Sequence, residues 1–303
     1  MENCEERGEK EEISSSTAGL SGCGRMYNGS LGGRAYEGGG SFLFDPRTDK
    51  MIEIAVIPAA GFGTRMEPLT TVLPKEMFPL GRLPMIEHTI IELKRSGIKK
   101  ICVVIRKGKE VIEEYLKGRT YKEIEVYFAY QRKPLGIGDA LRRAKDFIGK
   151  NPFVMALPDQ MVLFKEPATK QLLDQRKDTE GIWNSMVKVP KKEARFFTGA
   201  RSFKYRRAHG NVYTLKGFSH DKSSSLRGFG RTVFLPEVLD YMTEEYLNDQ
   251  TGEVDFLKTY EAIQESFPLY GAILKGVPCD LGTWEGYYYY LPTILRFLRQ
   301  EED

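Results

Sequence analysis

Residues 54–90 read IAVIPAAGFGTRMEPLTTVLPKEMFPLGRLPMIEHTI, and their order of residue types sets the fold and the ligand class. Ile54-Ala55-Val56-Ile57 is an apolar run bounded by turn residues, the pattern of a buried strand. It empties into Ala59-Ala60-Gly61-Phe62-Gly63-Thr64-Arg65, where small side chains let backbone N–H groups approach a ligand closely. Successive exposed amides form an anion-binding concavity, and Arg65 and Lys75 add full positive charge beside it. A phosphate chain is the ligand such a loop suits. Two familiar phosphate loops are excluded on spacing. A Walker A loop ends in Gly-Lys-Ser/Thr, whereas Gly63 is followed by Thr64-Arg65, and the dinucleotide fingerprint needs a third small residue where Met66 stands.

Gly61-x-Gly63 alone is weak evidence, because an ordinary strand-to-helix turn produces it often. The longer string is specific. Gly61-x-Gly63-Thr64-Arg65-Met66, Pro68-Leu69-Thr70, Pro74-Lys75-Glu76-Met77, Pro79-Leu80 and Pro84-Met85-Ile86 together resemble the signature of the sugar-1-phosphate nucleotidyltransferases. Within that family the string is most similar to the glucose-1-phosphate uridylyltransferase branch. The resemblance implies an α/β fold with a mostly parallel Rossmann-like sheet, helices on both faces and a small β-rich insertion. It implies transfer of a nucleotidyl group from a nucleoside triphosphate, UTP favoured, to a sugar 1-phosphate, glucose 1-phosphate favoured, with release of pyrophosphate. Ala60, Gly61, Gly63 and Thr64 are then nucleotide-binding, Arg65 and Lys75 catalytic, and Mg²⁺ the cofactor.

Downstream, Met85 to Lys94 places Ile86, Ile90 and Leu93 at helical spacing with Gly97 as the stop, and residues 101–105 follow as a buried strand. A second helix over 111–116 and a strand over 124–130 complete a β-α-β-α-β order, which predicts a parallel sheet with helices on both faces. Ligands then bind beyond the carboxyl ends of the strands. At one such end stand Gln131 and, after it, Leu135-Gly136-Ile137-Gly138-Asp139-Ala140, with Asp139 expected to cap a helix from Ala140 to Phe147. By resemblance Gln131 and Gly136 receive the nucleobase, whose edge needs donors and acceptors at fixed positions. The strand 152–157 stops at Pro158-Asp159, and a strand expected over 272–277 stops before Asp280-Leu281-Gly282-Thr283. In each case the bare residues fit an ordinary turn, and the resemblance makes Asp159 and Asp280 the metal-binding carboxylates.

Between these ends the alternation lapses. Residues 182–234 read as strands joined by polar turns, a β-rich sugar-side region crowded with Lys and Arg. A solvated face accounts for most of those charges, some of which can steer anionic substrates. Interleaved aromatics such as Phe196 and Tyr205 keep nucleic-acid binding only as a minor alternative. Lys216 lies fourteen residues before Gly230, where uridylyltransferases carry the Lys of a Glu-Lys-Pro triplet, although Leu215 and Gly217 flank it here. The resemblance makes Lys216 a catalytic lysine that contacts the sugar phosphate. The closing segment, 284–299, is aromatic and helical with Pro292 expected to kink or split it, and Tyr287 to Tyr290 are expected to cover the sheet or a subunit interface, which leaves a homo-oligomer open.

The 303 residues, 41% hydrophobic, suffice for a sizeable core, and a net charge of +3 does not by itself imply a polyanion partner. Residues 1–50 hold ten of the thirty glycines beside Ser14-Ser15-Ser16, so they are expected to be a disordered tail, with the nucleotidyltransferase domain over 51–303. A chain starting at Met51 is expected to melt as the full chain does. Cys4, Cys23, Cys102 and Cys279 show no metal or redox spacing, no run approaches eighteen apolar residues, and the opening is acidic, so the expectation is a cytoplasmic protein with reduced thiols and no membrane span. His88, His209 and His220 fall in no catalytic motif. A noncatalytic nucleotide-sugar sensor, or a transferase for a different base or acceptor such as dTTP or CTP, would share the first loop.

Overall fold

In the computed structural model the described residues are 51–302, apart from 134, 178, 198–201, 220–223, 244–253 and 255. The chain divides into units at Phe44/Asp45, and the first unit, with the expected disordered tail, lies outside the described residues.

Thirteen strands and seven α-helices follow in chain order among the described residues. Strand β1 (Ile54–Pro58) leads through short 3₁₀ turns to the small hairpin β2 (Pro79–Leu80) and β3 (Leu83–Pro84). Helix α1 (Met85–Arg95), β4 (Lys100–Ile105), α2 (Glu110–Lys117) and β5 (Glu125–Tyr130) come next. Then follow α3 (Gly136–Arg143), α4 (Lys145–Ile148), β6 (Phe153–Ala156), β7 (Gln160–Leu163), α5 (Ala168–Arg176) and β8 (Ile182–Lys188). The remainder is β9 (Ser202–His209), β10 (Val212–Ser219), β11 (Leu226–Phe234), α6 (Phe256–Ser266), β12 (Leu269–Ile273), β13 (Val277–Asp280) and α7 (Trp284–Glu302).

Nine strands form one sheet in the order β5-β4-β1-β6-β11-β8-β12-β10-β9. The β5-β4-β1-β6 half is parallel throughout, as the β-α-β order requires. Beyond β6, β11 runs antiparallel to both β6 and β8, β12 is parallel to β8, and β10 is antiparallel to β12 and β9. The strands of the β-rich 182–234 stretch, β8 to β11, continue the central sheet.

Period-two alternation explains the two-sided burial. Ala55 and Ile57 face one core with Ile101, Val103, Ile105, Val154 and Ala156, while Val56, Cys102, Val104, Phe153 and Met155 face the other. Helices α1, α2, α5 and α7 cover the first face through Ile90, Leu116, Leu172 and Ile294, and α3, α4 and α6 cover the second through Leu141, Ile148 and Ile263. Both faces of the strands being apolar is what a sheet sandwiched between helix layers needs.

Three local expectations are corrected. The strand expected over 272–277 is two strands, because Gly276 at φ 117° turns the chain between β12 and β13 where a Cβ would come 2.7 Å from the Leu163 carbonyl oxygen. The helix expected from Ala140 begins at Gly136, so Asp139 lies inside α3 and caps nothing. Pro292 sits inside α7 without splitting it, and Tyr287 and Tyr290 are buried against the first core while Tyr288 and Tyr289 stay exposed.

Candidate active site

The site forms at the carboxyl ends of β1, β5 and β6, beside the ribbon of β7 and β13. After β1, Ala59 N–H donates to the Val104 carbonyl at 2.8 Å, which ties the start of the loop to β4. Gly63 takes φ 75°, and Thr70 Oγ1 donates to its carbonyl at 3.0 Å, so the loop is folded back on the following turn. Lys75 opens a 3₁₀ turn after Pro74 and extends its ammonium to Asp159 Oδ2 at 2.5 Å.

A two-stranded ribbon brings the two aspartates together across more than a hundred residues of sequence. β7 pairs antiparallel with β13 so that Gln160 stands opposite Asp280, and Leu281 N–H donates to the Asp159 carbonyl at 2.8 Å. Gln160 Nε2 donates to Asp280 Oδ2 and Gly282 N–H to Asp280 Oδ1, both at 3.0 Å. Gly282 is the pivot of this cluster. A Cβ placed there would lie 3.0 Å from Asp159 Oδ2, 3.1 Å from Asp280 Oδ1 and 3.2 Å from an Arg65 guanidinium nitrogen.

Burial acts to raise the Asp159 carboxyl, but Lys75 and Arg65 outweigh it and hold the group below the usual carboxylate range. Burial likewise disfavours the Lys75 ammonium, yet Asp159 and Glu76 keep it above its ordinary value. At Asp280, burial with the neighbouring Asp159 charge outweighs the Gly282 amide, Gln160 and Arg65, which favour the carboxylate, and pushes the group up to about 6.

These groups line a cleft of about 400 Å³. Ala60, Gly61, Gly63, Thr64 and Arg65 form one wall, Gln131 and Gly136 another, and Lys75, Asp159 and Asp280 the floor between them. The structure thus gathers every sequence-predicted site residue but one. Lys216 is exposed on β10, four strands along the sheet from β6, and is not among the residues lining the cleft. Strand alternation is the reason, since Leu215 takes the inward position beside it.

Gln131 is almost wholly buried, and its amide nitrogen donates to the Gly136 carbonyl at 3.0 Å and to Asp139 Oδ2 at 2.8 Å. Arg143 closes the far side of Asp139 at 2.9 Å. Asp139 therefore orients Gln131, a role that its place near a helix start concealed. Lys109 was also hidden in the sequence. It reads as part of a solvated loop, Arg106-Lys107-Gly108-Lys109, yet its ammonium is buried against Glu76 Oε2 at 2.7 Å and the Ala59 carbonyl at 2.8 Å. Its position just beyond the carboxyl end of β4 is the one signal that could have exposed it.

Residues 54–296 match the protein-family model described as nucleotidyl transferase. A putative UTP-glucose-1-phosphate uridylyltransferase of Bacillus subtilis (strain 168) is 28% identical over 277 residues, covering 84% of this chain and 99% of the relative. A UTP-glucose-1-phosphate uridylyltransferase of Staphylococcus epidermidis is 29% identical over 267 residues, covering 78% and 90%. Among solved structures, a UDP-glucose pyrophosphorylase complexed with UDP-glucose superposes with TM-score 0.73 at 21% identity, over 81% of this chain and 99% of that one. The UTP-bound UGPase from Acinetobacter baumannii gives 0.68 at 22% identity, over 82% and 98%. At these identities the structures speak for the fold, and the matched span runs from the first strand of the sheet into α7. The chain belongs to the nucleotidyl transferase family.

Proposed function

We propose that the protein transfers the uridylyl group of UTP to glucose 1-phosphate, releasing pyrophosphate and forming UDP-glucose. The observation that carries this is the convergence of Arg65, Lys75, Asp159 and Asp280 around Gly282 at one end of a cleft walled by the glycine loop. Two anions must meet in this reaction, so the difficulty is electrostatic. The loop amides and Arg65 hold the triphosphate, Lys75 places a positive charge where the phosphates approach Asp159, and Gln131 with Gly136 seats the base. Positioning of this kind can contribute about 7 to 11 kcal/mol of barrier reduction.

No general base is needed. A phosphate monoester loses its second proton near pH about 6, so the attacking oxygen is already charged at neutral pH. His88, the histidine of α1, is engaged with the Leu80 carbonyl at 2.7 Å, and burial lowers its pKa, which fits a packing role.

The donor set fits Mg²⁺. Asp159 and Asp280 offer hard carboxylate oxygens across a glycine that leaves room between them, and the carboxyl of Asp280 is raised by burial and by the Asp159 charge beside it, which a bound cation would offset. These two residues would hold the ion, which when bound neutralises phosphate charge. Gly282→Ala tests the cradle, because its methyl enters the space between the two carboxylates. Magnesium affinity is expected to fall about ten- to a hundredfold while the melting temperature changes little. Unchanged affinity in a titration would show that the ion binds elsewhere.

UTP and glucose 1-phosphate are favoured on the two curated relatives' names. Pyrophosphate release from UTP, dTTP and CTP, each with and without glucose 1-phosphate, tests that choice. Release only with UTP and the sugar phosphate together is expected, and preference for dTTP or CTP would move the specificity. Replacement of Gln131 by Ala is expected to raise the KM for the triphosphate about tenfold, as a neutral hydrogen bond and its buried partners are lost. A variant with unchanged KM would remove Gln131 from the base site. A reducing, cytoplasmic setting is part of the same reading, consistent with Cys102 and Cys279 as buried free thiols.

A further inference from the structure

Lys109 and Glu76 form an ion pair that the reaction does not use directly. Residue exposure is 2% for Lys109 and 1% for Glu76, and the ammonium also donates to the Ala59 carbonyl at 2.8 Å. That single nitrogen therefore joins the first residue of the glycine loop to the turn that carries Lys75. Glu76 follows Lys75 directly in this turn, so fixing the Glu76 carboxylate fixes where the Lys75 ammonium can reach.

Local stability does not account for a lysine here. Lys109 immediately precedes α2, makes no side-chain capping hydrogen bond, and puts a positive charge at the end of a helix that favours negative charge. A buried ion pair is also commonly no more stabilising than an apolar pair of similar size, because desolvation offsets the attraction. The best-attested use of such a pair is to select one arrangement of the parts it joins. The parts joined here are the two phosphate-binding elements, which lie 16 residues apart between Ala59 and Lys75 and share no strand pairing.

We propose that Lys109 and Glu76 are positioning residues for nucleotidyl transfer, holding the glycine loop and Lys75 at a fixed separation that matches a triphosphate. The proposal rests on the triphosphate reading above. Neither residue touches the reacting atoms, and their effect reaches the substrate through the Ala59 carbonyl and the Lys75 ammonium.

The test compares Lys109→Met with the double variant Glu76→Gln/Lys109→Met. The single variant leaves a buried carboxylate unpaired and is expected to melt lower. The double variant removes both charges and is expected to melt close to wild type. Two readouts separate positioning from packing. Amides of Ala59, Met66, Met77 and Phe78 are hydrogen-bonded to Val104, Gly63, Pro74 and Lys75 carbonyls, and their hydrogen exchange in ligand-free protein reports on the two elements. In the double variant exchange is expected to speed by about tenfold and the dissociation constant for UTP to rise by about tenfold or more, a loss of the size that small misplacements cause. Wild-type exchange in the double variant would overturn the proposal, and so would faster exchange with unchanged UTP affinity. Because the exchange arm needs no ligand, it decides whether the pair holds the loop even if the triphosphate reading fails.

Discussion

Asp280→Asn is expected to lower magnesium-dependent turnover to about a hundredth of wild type or less, while the protein melts at a higher temperature when no divalent ion is added. The first effect follows from losing one of two carboxylates that would hold the ion, a contribution of several kcal/mol, with each 1.4 kcal/mol worth about tenfold. The second follows from linkage. Burial and the Asp159 charge push the Asp280 carboxyl up to about 6 in the folded chain, against about 3.9 for an unfolded aspartate. Between those values the folded state holds more protons than the unfolded one, so metal-free wild-type stability declines as pH rises from about 4 to about 6. Asparagine removes that decline, and the difference in melting temperature between wild type and variant should vanish below about pH 4. Asp159→Asn should abolish turnover similarly, but its carboxyl is held low by Lys75 and Arg65, so no rise in stability accompanies it. Full magnesium-dependent activity in Asp280→Asn would remove the two-aspartate site.

Lys75→Ala is expected to reduce kcat/KM for the triphosphate about ten- to a hundredfold, the equivalent of losing one charge-assisted phosphate contact of about 1.5 to 3 kcal/mol. It also takes the 2.5 Å partner from Asp159 and leaves a buried carboxylate beside Asp280, so a lower melting temperature should accompany it. Arg65→Ala should show a comparable kinetic loss, since Arg65 reaches the same cluster around Gly282. Steady-state kinetics and melting of the two variants give both readouts, and unchanged kinetics in both would withdraw the loop's assignment to the triphosphate.

What the sequence made legible is what depends on local pattern. Ile54 to Ile57 and residues 101–105 alternate between the two cores as their apolar runs require, and the carboxyl ends of β1 and β5 place the loop and Gln131 along one cleft. Asp159 and Asp280 could be named only through resemblance, because their meeting depends on β7 pairing with β13, a contact between segments 120 residues apart that no local signal encodes. Residues whose roles depend on burial were missed. Lys109 sits among charges that read as solvated, and Asp139 resembled a cap until α3 was seen to start before it. Lys216 was singled out by its spacing from Gly230, and the structure places it exposed on β10, not among the residues that line the cleft. The 182–234 stretch was legible as β-rich because antiparallel pairs interrupt the βα rhythm, and hydrogen bonding to β6 through β11, which no local pattern encodes, makes it part of the same sheet.

The central claim is that this cleft joins UTP to glucose 1-phosphate, and product analysis tests it most directly. The 303-residue chain incubated with UTP, glucose 1-phosphate and Mg²⁺ should yield UDP-glucose and pyrophosphate in equal amounts by mass spectrometry and a pyrophosphate assay, and chelation of the metal should stop both. Nucleotide binding without any UDP-sugar or pyrophosphate, under conditions where the cleft is saturated, would contradict the claim and identify the chain as a nucleotide-binding member of its family that does not carry out the transfer.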